Sequence, residues 1–164
     1  MVKSPREKTL GKATGDVLKA IHALQDREEE GGVALPSDIA DRTGTSRAFV
    51  TKMLKGMSES GLVAYQPYRG VRLTATGTSS AVELARHHRL LERFLTDVLG
   101  FGPDGAHDEA ERLEHVISEE FEERLAAFLG NPTTCPHGAP IPNADGTMPD
   151  LATVASSGGE EPPT

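Results

Sequence analysis

The sequence has 164 residues, 37% of them hydrophobic, enough to bury one ordinary core or two small ones. No apolar run approaches the roughly 18 residues of a membrane span, and Met1 to Thr9 lacks the apolar stretch of a secretory signal, so a globular cytoplasmic protein is expected. The net charge of −8 disfavours a polyanionic partner for the chain as a whole, and the single cysteine, Cys135, excludes an internal disulfide.

The charge is unevenly spread. Residues 1–72 carry 12 Lys and Arg against 9 Asp and Glu, whereas residues 73–164 carry 5 against 16. A front half able to approach DNA and a back half rich in oxygen ligands fit that split, as does a merely solvated acidic surface.

After the basic leader, Thr14 is placed to cap a helix whose apolar residues Val17, Leu18, Ile21 and Leu24 recur at helical spacing. The charged stretch from Asp26 to Gly32 ends it. Pro36 and Ser37 sit where a short second helix begins, Gly44 breaks it, and a third helix reads from Thr45 or Ser46 through Phe49, Val50, Met53, Leu54 and Met57. Two helices joined by a glycine-containing turn make a helix-turn-helix. The β signals Leu62–Tyr65 and Val71–Leu73, separated by a turn at Pro67 to Gly70, then add a wing.

A fourth helix follows from Leu73–Gly77 to Gly100, marked by Ala81, Leu84, Ala85, His88, Leu91 and Leu95. One long last helix is expected from about Pro103 through Leu113, Val116, Ile117, Phe121, Leu125 and Phe128 to Gly130. Beyond it, Pro, Gly and Ser predict a turn and then disorder. The expected division is a winged helix-turn-helix domain over residues 1–77, a helical dimerisation and metal-binding domain over 78–142, and a disordered tail or linker over 143–164.

The chemistry concentrates in His107-Asp108-Glu109-Ala110-Glu111-Arg112-Leu113-Glu114-His115. At about 100° per residue, His107, Glu111, Glu114 and His115 share one helix stripe. His88 and Glu92, four residues apart, form a second ligand-sized pair, and a short loop at Gly100 to Gly105 lets antiparallel helices bring the sets together. Mixed imidazole and carboxylate donors suit a first-row divalent ion. The competing interpretation is a hydrated acidic helix face. Cys135 and His137 resemble a small ligand pair, but the surrounding prolines and glycine favour a structural turn.

These blocks resemble the diphtheria toxin repressor family of iron- and manganese-dependent regulators over roughly Thr14 to Pro142. The likeness rests on Ser37-Asp38-Ile39-Ala40, Val50-Thr51-Lys52-Met53, Tyr68-Arg69-Gly70, Leu73-Thr74 with Gly77, and His88 through Leu95. It continues through His107 to Ser118 and ends with Cys135-Pro136-His137-Gly138 and Pro140-Ile141-Pro142. The resemblance implies two metal positions per subunit. Asp16, Glu111, Glu114 and His115 match the site whose occupancy activates DNA binding, and His88, Glu92 and His107 match the ancillary site. Glu111 stands in place of the cysteine, and Asp16 in place of the methionine, of the iron-responsive branch. That harder donor set favours Mn²⁺, with Fe²⁺ the alternative. Lys19 stands where manganese-specific members carry a glutamate, so their binuclear arrangement does not transfer unchanged. Many members also have a C-terminal SH3-like domain, for which this sequence has no residues.

Ser46, Arg47, Ala48, Thr51 and Lys52 are expected to face the major groove, with Arg69 on the wing as a phosphate or minor-groove contact. The expected function is that of a homodimeric repressor, not an enzyme. It would bind a palindromic operator when loaded with Mn²⁺ or Fe²⁺, repress metal-uptake genes, and use the cation to fix the DNA-competent arrangement of its domains. One alternative is a winged-helix regulator sensing an organic ligand. A metallohydrolase using Glu111 or Glu114 as base is another, although His-Glu-x-x-His is missing and the wing would have no role.

Overall fold

A computed structural model of the protein describes residues 10–26 and 32–151. The basic leader to Thr9, most of the charged stretch after Asp26, and the tail from residue 152 lie outside the described residues. The chain divides into two compact units, Met1–Leu84 and Ala85–Thr164. The division falls inside a helix, later in the chain than the end of the wing suggests.

The first unit contains α1 (Lys12–Gln25), α2 (Pro36–Thr43), α3 (Arg47–Glu59), β1 (Val63–Gln66), β2 (Gly70–Leu73) and the start of α4 (Ala75–Asp97). Thr14 lies within α1, not at its cap; the N-cap position is Gly11, with no side-chain bond. Proline in the first turn of α2 fixes the entry angle without removing a helix hydrogen bond. Gly44 ends α2 at φ 66°, a left-handed conformation that a side chain would strain. Ser46 then caps α3, its hydroxyl accepting from Phe49 N–H at 3.1 Å.

These elements close over Val17, Leu18 and Ile21 of α1, Ile39 of α2, and Val50, Leu54 and Met57 of α3, with Val63 and Val71 of the hairpin completing the core. Phe49, read as part of the apolar stripe, is exposed. The wing is antiparallel, with Val63 opposite Leu73 and Tyr65 opposite Val71. Ala34 adds a bridge on its other edge through two hydrogen bonds with Val71. Thr74 joins wing to helix: its hydroxyl donates to Leu62 O at 3.0 Å and accepts from Gly77 N–H at 3.1 Å. A Cβ at Gly77 would lie 1.9 Å from that same Leu62 oxygen, so the chain crosses closely enough to require glycine.

The second unit packs the rest of α4 with α5 (Pro103–Leu113) and α6 (Glu119–Phe128). The expected single long helix is therefore two. Glu114 caps α5 at its C-terminus, residues 114–116 turn, and Ser118 caps α6 by accepting from Phe121 N–H at 3.2 Å. Three glutamates, Glu119, Glu120 and Glu122, occupy the first turn of α6, where carboxylates favour the positive end of the helix dipole. The break also reverses exposure: Glu114 is 1% exposed, whereas Val116, expected on the apolar stripe, is 71% exposed.

Residues 131–142 have no helix, yet they belong to the core. Cys135 and Ile141 are buried with Leu90, Leu91 and Leu125. Two arginines of α4 hold the segment down: Arg86 donates to Pro142 O at 2.7 Å and Arg89 donates to Pro140 O. The tail expected to be disordered from residue 143 begins instead with a turn. Asn143 N–H bonds Thr147 O at 2.8 Å, and Asp145 accepts from Thr147 N–H at 2.9 Å.

Candidate metal centre and nucleic-acid face

Helical spacing puts His88 and Glu92 one turn apart on α4, and α5 supplies His107 beside them. His88 Nε2 lies 3.0 Å from Glu92 Oε1, His107 Nδ1 lies 3.0 Å from the same oxygen, and the two nitrogens are 3.1 Å apart. The three atoms form a nearly equilateral triangle. Donors about 2.1 Å from a six-coordinate cation are separated by about 3.0 Å when adjacent, so this spacing matches one face of such a shell. Two imidazoles and a carboxylate are the donor set of a first-row divalent ion. The residues fit a metal.

Glu92 is buried. Burial works to raise its carboxyl, but hydrogen bonds with His88 and His107 and the charges of His88 and His137 outweigh it and hold the group down to about 2. The Glu92 carboxylate facing the two imidazoles is therefore ionised.

His88 is gripped from behind. Its Nδ1 lies 2.5 Å from Glu114 Oε2, so a carboxylate orients the ring whose other nitrogen faces Glu92. This carboxylate–imidazole arrangement is the usual support of a metal-bound histidine. His115 Nε2 is 3.3 Å from Glu114 Oε1, which joins the buried His115 to the same cluster. Glu111 is half exposed, with its carboxylate 3.5 Å from His107 Nε2. Asp16 lies on α1 in the first unit, ion-paired with Lys12 at 2.9 Å.

The Cys135–Gly138 segment is the hydrogen-bonded turn its prolines imply, with Gly138 N–H on Cys135 O at 2.9 Å. It also brings chemistry to Glu92. Ligand atoms of Glu92, Cys135 and His137 lie within 4.8 Å of one another, and His137 Nδ1 is 3.6 Å from Glu92 Oε2. Sequence spacing had separated these residues from the helices; the Cys-x-His pair was the one available signal.

On α3, Ser46, Arg47, Ala48 and Lys52 are exposed and Thr51 is half-buried. Arg47, Ala48, Thr51 and Lys52 line one shallow surface depression together with Lys55, a cation the sequence reading had passed over. Ser46 uses its oxygen to cap the helix while its hydroxyl remains at the surface. Arg69 is exposed at the wing turn, beside Tyr68, which adopts φ 65°.

A winged helix-turn-helix followed by a helical unit with an imidazole–carboxylate cluster is the architecture of metal-responsive DNA-binding regulators. Residues 9–71 match the iron dependent repressor N-terminal DNA binding domain, and residues 74–143 match the iron dependent repressor metal binding and dimerisation domain. The chain belongs to the iron-dependent repressor family, as its motifs indicated.

It is 42% identical over 122 residues to the iron-dependent repressor IdeR of Mycobacterium leprae, covering 74% of this chain and 53% of the relative. It is 40% identical over 138 residues to the diphtheria toxin repressor of Corynebacterium diphtheriae, covering 84% and 60%. The chain thus spans little more than half the length of these relatives. Among solved structures, a manganese-dependent transcriptional repressor in complex with manganese superposes with a TM-score of 0.75 at 39% identity, covering 84% of this chain and 62% of that one. These relatives are repressors by name, and no described helix is long and apolar enough to cross a membrane.

Proposed function

We propose that the protein is a homodimeric transcriptional repressor that binds palindromic operator DNA when loaded with Mn²⁺ or Fe²⁺ and controls metal-uptake genes in the cytoplasm. The triangle of His88 Nε2, Glu92 Oε1 and His107 Nδ1 carries the reading. A bound divalent ion would supply positive charge that draws these donors together and favours the DNA-competent state. His88, Glu92 and His107 hold one ion. Asp16, Glu111, Glu114 and His115 form the second ligand set by family correspondence. Arg47, Lys52 and Arg69 meet phosphate or guanine edges, Ser46 and Thr51 provide hydroxyl contacts, and Ala48 packs against a thymine methyl.

Dimerisation is supported by the large apolar side chains the second unit leaves exposed, among them Val98, Leu99, Phe101, Phe121 and Phe128. Mn²⁺ is the preferred ion because the two matched sets offer oxygen and nitrogen donors, and Fe²⁺ is the alternative, since the IdeR relative is named iron-dependent.

The test is selection of duplexes from a random pool by the chelator-treated full chain, with added Mn²⁺, with added Fe²⁺ under anaerobic conditions, and in EDTA. A palindromic sequence enriched only in the metal-loaded arms is expected. Equal enrichment in EDTA would remove metal from the mechanism.

A further inference from the structure

The residue before the metal-facing His88 is also buried, and the proposed function leaves it without a role. His87 points one ring nitrogen, Nδ1, at the main-chain carbonyl of Glu114, 3.0 Å away. Its other nitrogen, Nε2, is 2.7 Å from Glu122 Oε2 on α6. The Glu114 carbonyl can only accept, so Nδ1 is the donating nitrogen there, and Nε2 stands at ion-pair distance from the Glu122 carboxylate. Glu122 is in turn bonded by Arg86 Nε, and Arg86 reaches on to Pro142 O at 2.7 Å.

Glu114 is the C-cap residue of α5, and its carbonyl has no donor within the helix. His87 satisfies it. The neighbouring His88 meanwhile meets the side chain of the same glutamate at 2.5 Å. Consecutive histidines on α4 therefore hold Glu114 at both ends, one by its main chain and one by its carboxylate.

We propose that His87, anchored by Glu122 and Arg86, is a positioning residue for metal binding: it fixes the turn between α5 and α6 so that Glu114 and His115 are presented in register with His88. This rests on the metal-dependent reading above. Burial works to raise the Glu122 carboxyl, but hydrogen bonds and charge from His87 and Arg86 outweigh it and keep the group below its ordinary range, so the anchor is ionised. The donor to the Glu114 carbonyl is the functional element, not the bulk of the ring. An asparagine places an amide N–H near the position of Nδ1; a leucine fills similar space and offers none.

The experiment uses the chelator-treated full chain and three variants, His87→Leu, His87→Asn and Glu122→Gln. Mn²⁺ affinity is measured by calorimetry and the visible spectrum is recorded after Co²⁺ loading. His87→Leu is expected to weaken Mn²⁺ binding on the order of tenfold, the usual loss for an outer partner of a metal ligand, and to alter the Co²⁺ bands. His87→Asn should recover most of the affinity and the parental spectrum, and Glu122→Gln should fall between. If His87→Leu does not fold, the contrast between parent, His87→Asn and Glu122→Gln decides: a Glu122→Gln protein with parental affinity and spectrum overturns the anchor. Parental behaviour in His87→Leu, or equal loss in His87→Leu and His87→Asn, overturns the positioning role alone. A parent chain that takes up neither ion overturns both this role and the repressor reading.

Discussion

Nε2 of His88 and Nδ1 of His107, on different helices, stand 3.1 Å apart, with one oxygen of Glu92 3.0 Å from each. These three polar atoms stand at the spacing of adjacent donors around one divalent ion. Replacing Glu92 with glutamine keeps its size and removes its charge. Glu92→Gln should lower Mn²⁺ affinity by at least about tenfold, a loss that disturbing even an outer partner produces. Calorimetry on chelator-treated protein reads this directly, and an unchanged isotherm would detach Glu92 from the ion.

Acid should act on the same group. The folded Glu92 carboxyl sits at about 2 against an ordinary 4.5, so its contribution to stability is complete above 4.5 and is lost as pH falls toward about 2. In metal-free protein, the gap in urea midpoint between parent and Glu92→Gln should narrow over that interval. A gap that stays constant, or widens, would contradict the assignment.

The cap that separates α5 from α6 has a measurable energy. Ser118→Ala removes the acceptor for Phe121 N–H and should cost about 1 kcal/mol, while Ser118→Gly should cost only a few tenths. Denaturant unfolding of the two variants separates them. Equal stability of Ser118→Ala and the parent would mean that the hydroxyl does not hold the break.

On the DNA side, Arg47→Ala and Lys52→Ala should each weaken binding to a selected duplex. Loss of a phosphate contact should reduce the slope of log affinity against log salt by about 1, whereas loss of a guanine contact should relax sequence preference at one position by about 1–3 kcal/mol. Anisotropy titrations across salt and across single-base variants distinguish these outcomes. Lys55, which shares the depression with both residues, belongs in the same series. Indifference of all three substitutions would move the reading surface elsewhere.

The helix-turn-helix and wing were legible because their signals are local. Gly44, Ser46 and the two short β runs each determine backbone within a few residues. The α5–α6 break was missed because the apolar period runs on through Val116 and Ile117. The contrary signal, a capping serine followed by glutamates, sits at Ser118. Spacing and an antiparallel pairing of helices brought the His88–Glu92 pair toward the stripe from His107 to His115, and the family resemblance singled out His88, Glu92 and His107 as one site. The Glu114 contact with His88, the approach of Cys135 and His137 to Glu92, and the role of Lys55 depend on tertiary geometry that no periodicity encodes. Glu111 shows the limit of helical-stripe reasoning: sharing an arc with Glu114 did not give it the same environment, since one carboxylate is half exposed and the other enclosed.

Arg86 and Arg89 reach from α4 to the carbonyls of Pro142 and Pro140, beside the enclosed Ile141. Trimming the polypeptide at Gly130 would take from both guanidinium groups their carbonyl acceptors, leaving Arg86 its bond to Glu122, and open a hole where Ile141 had been. A shortened version should thus be markedly frailer than the intact molecule.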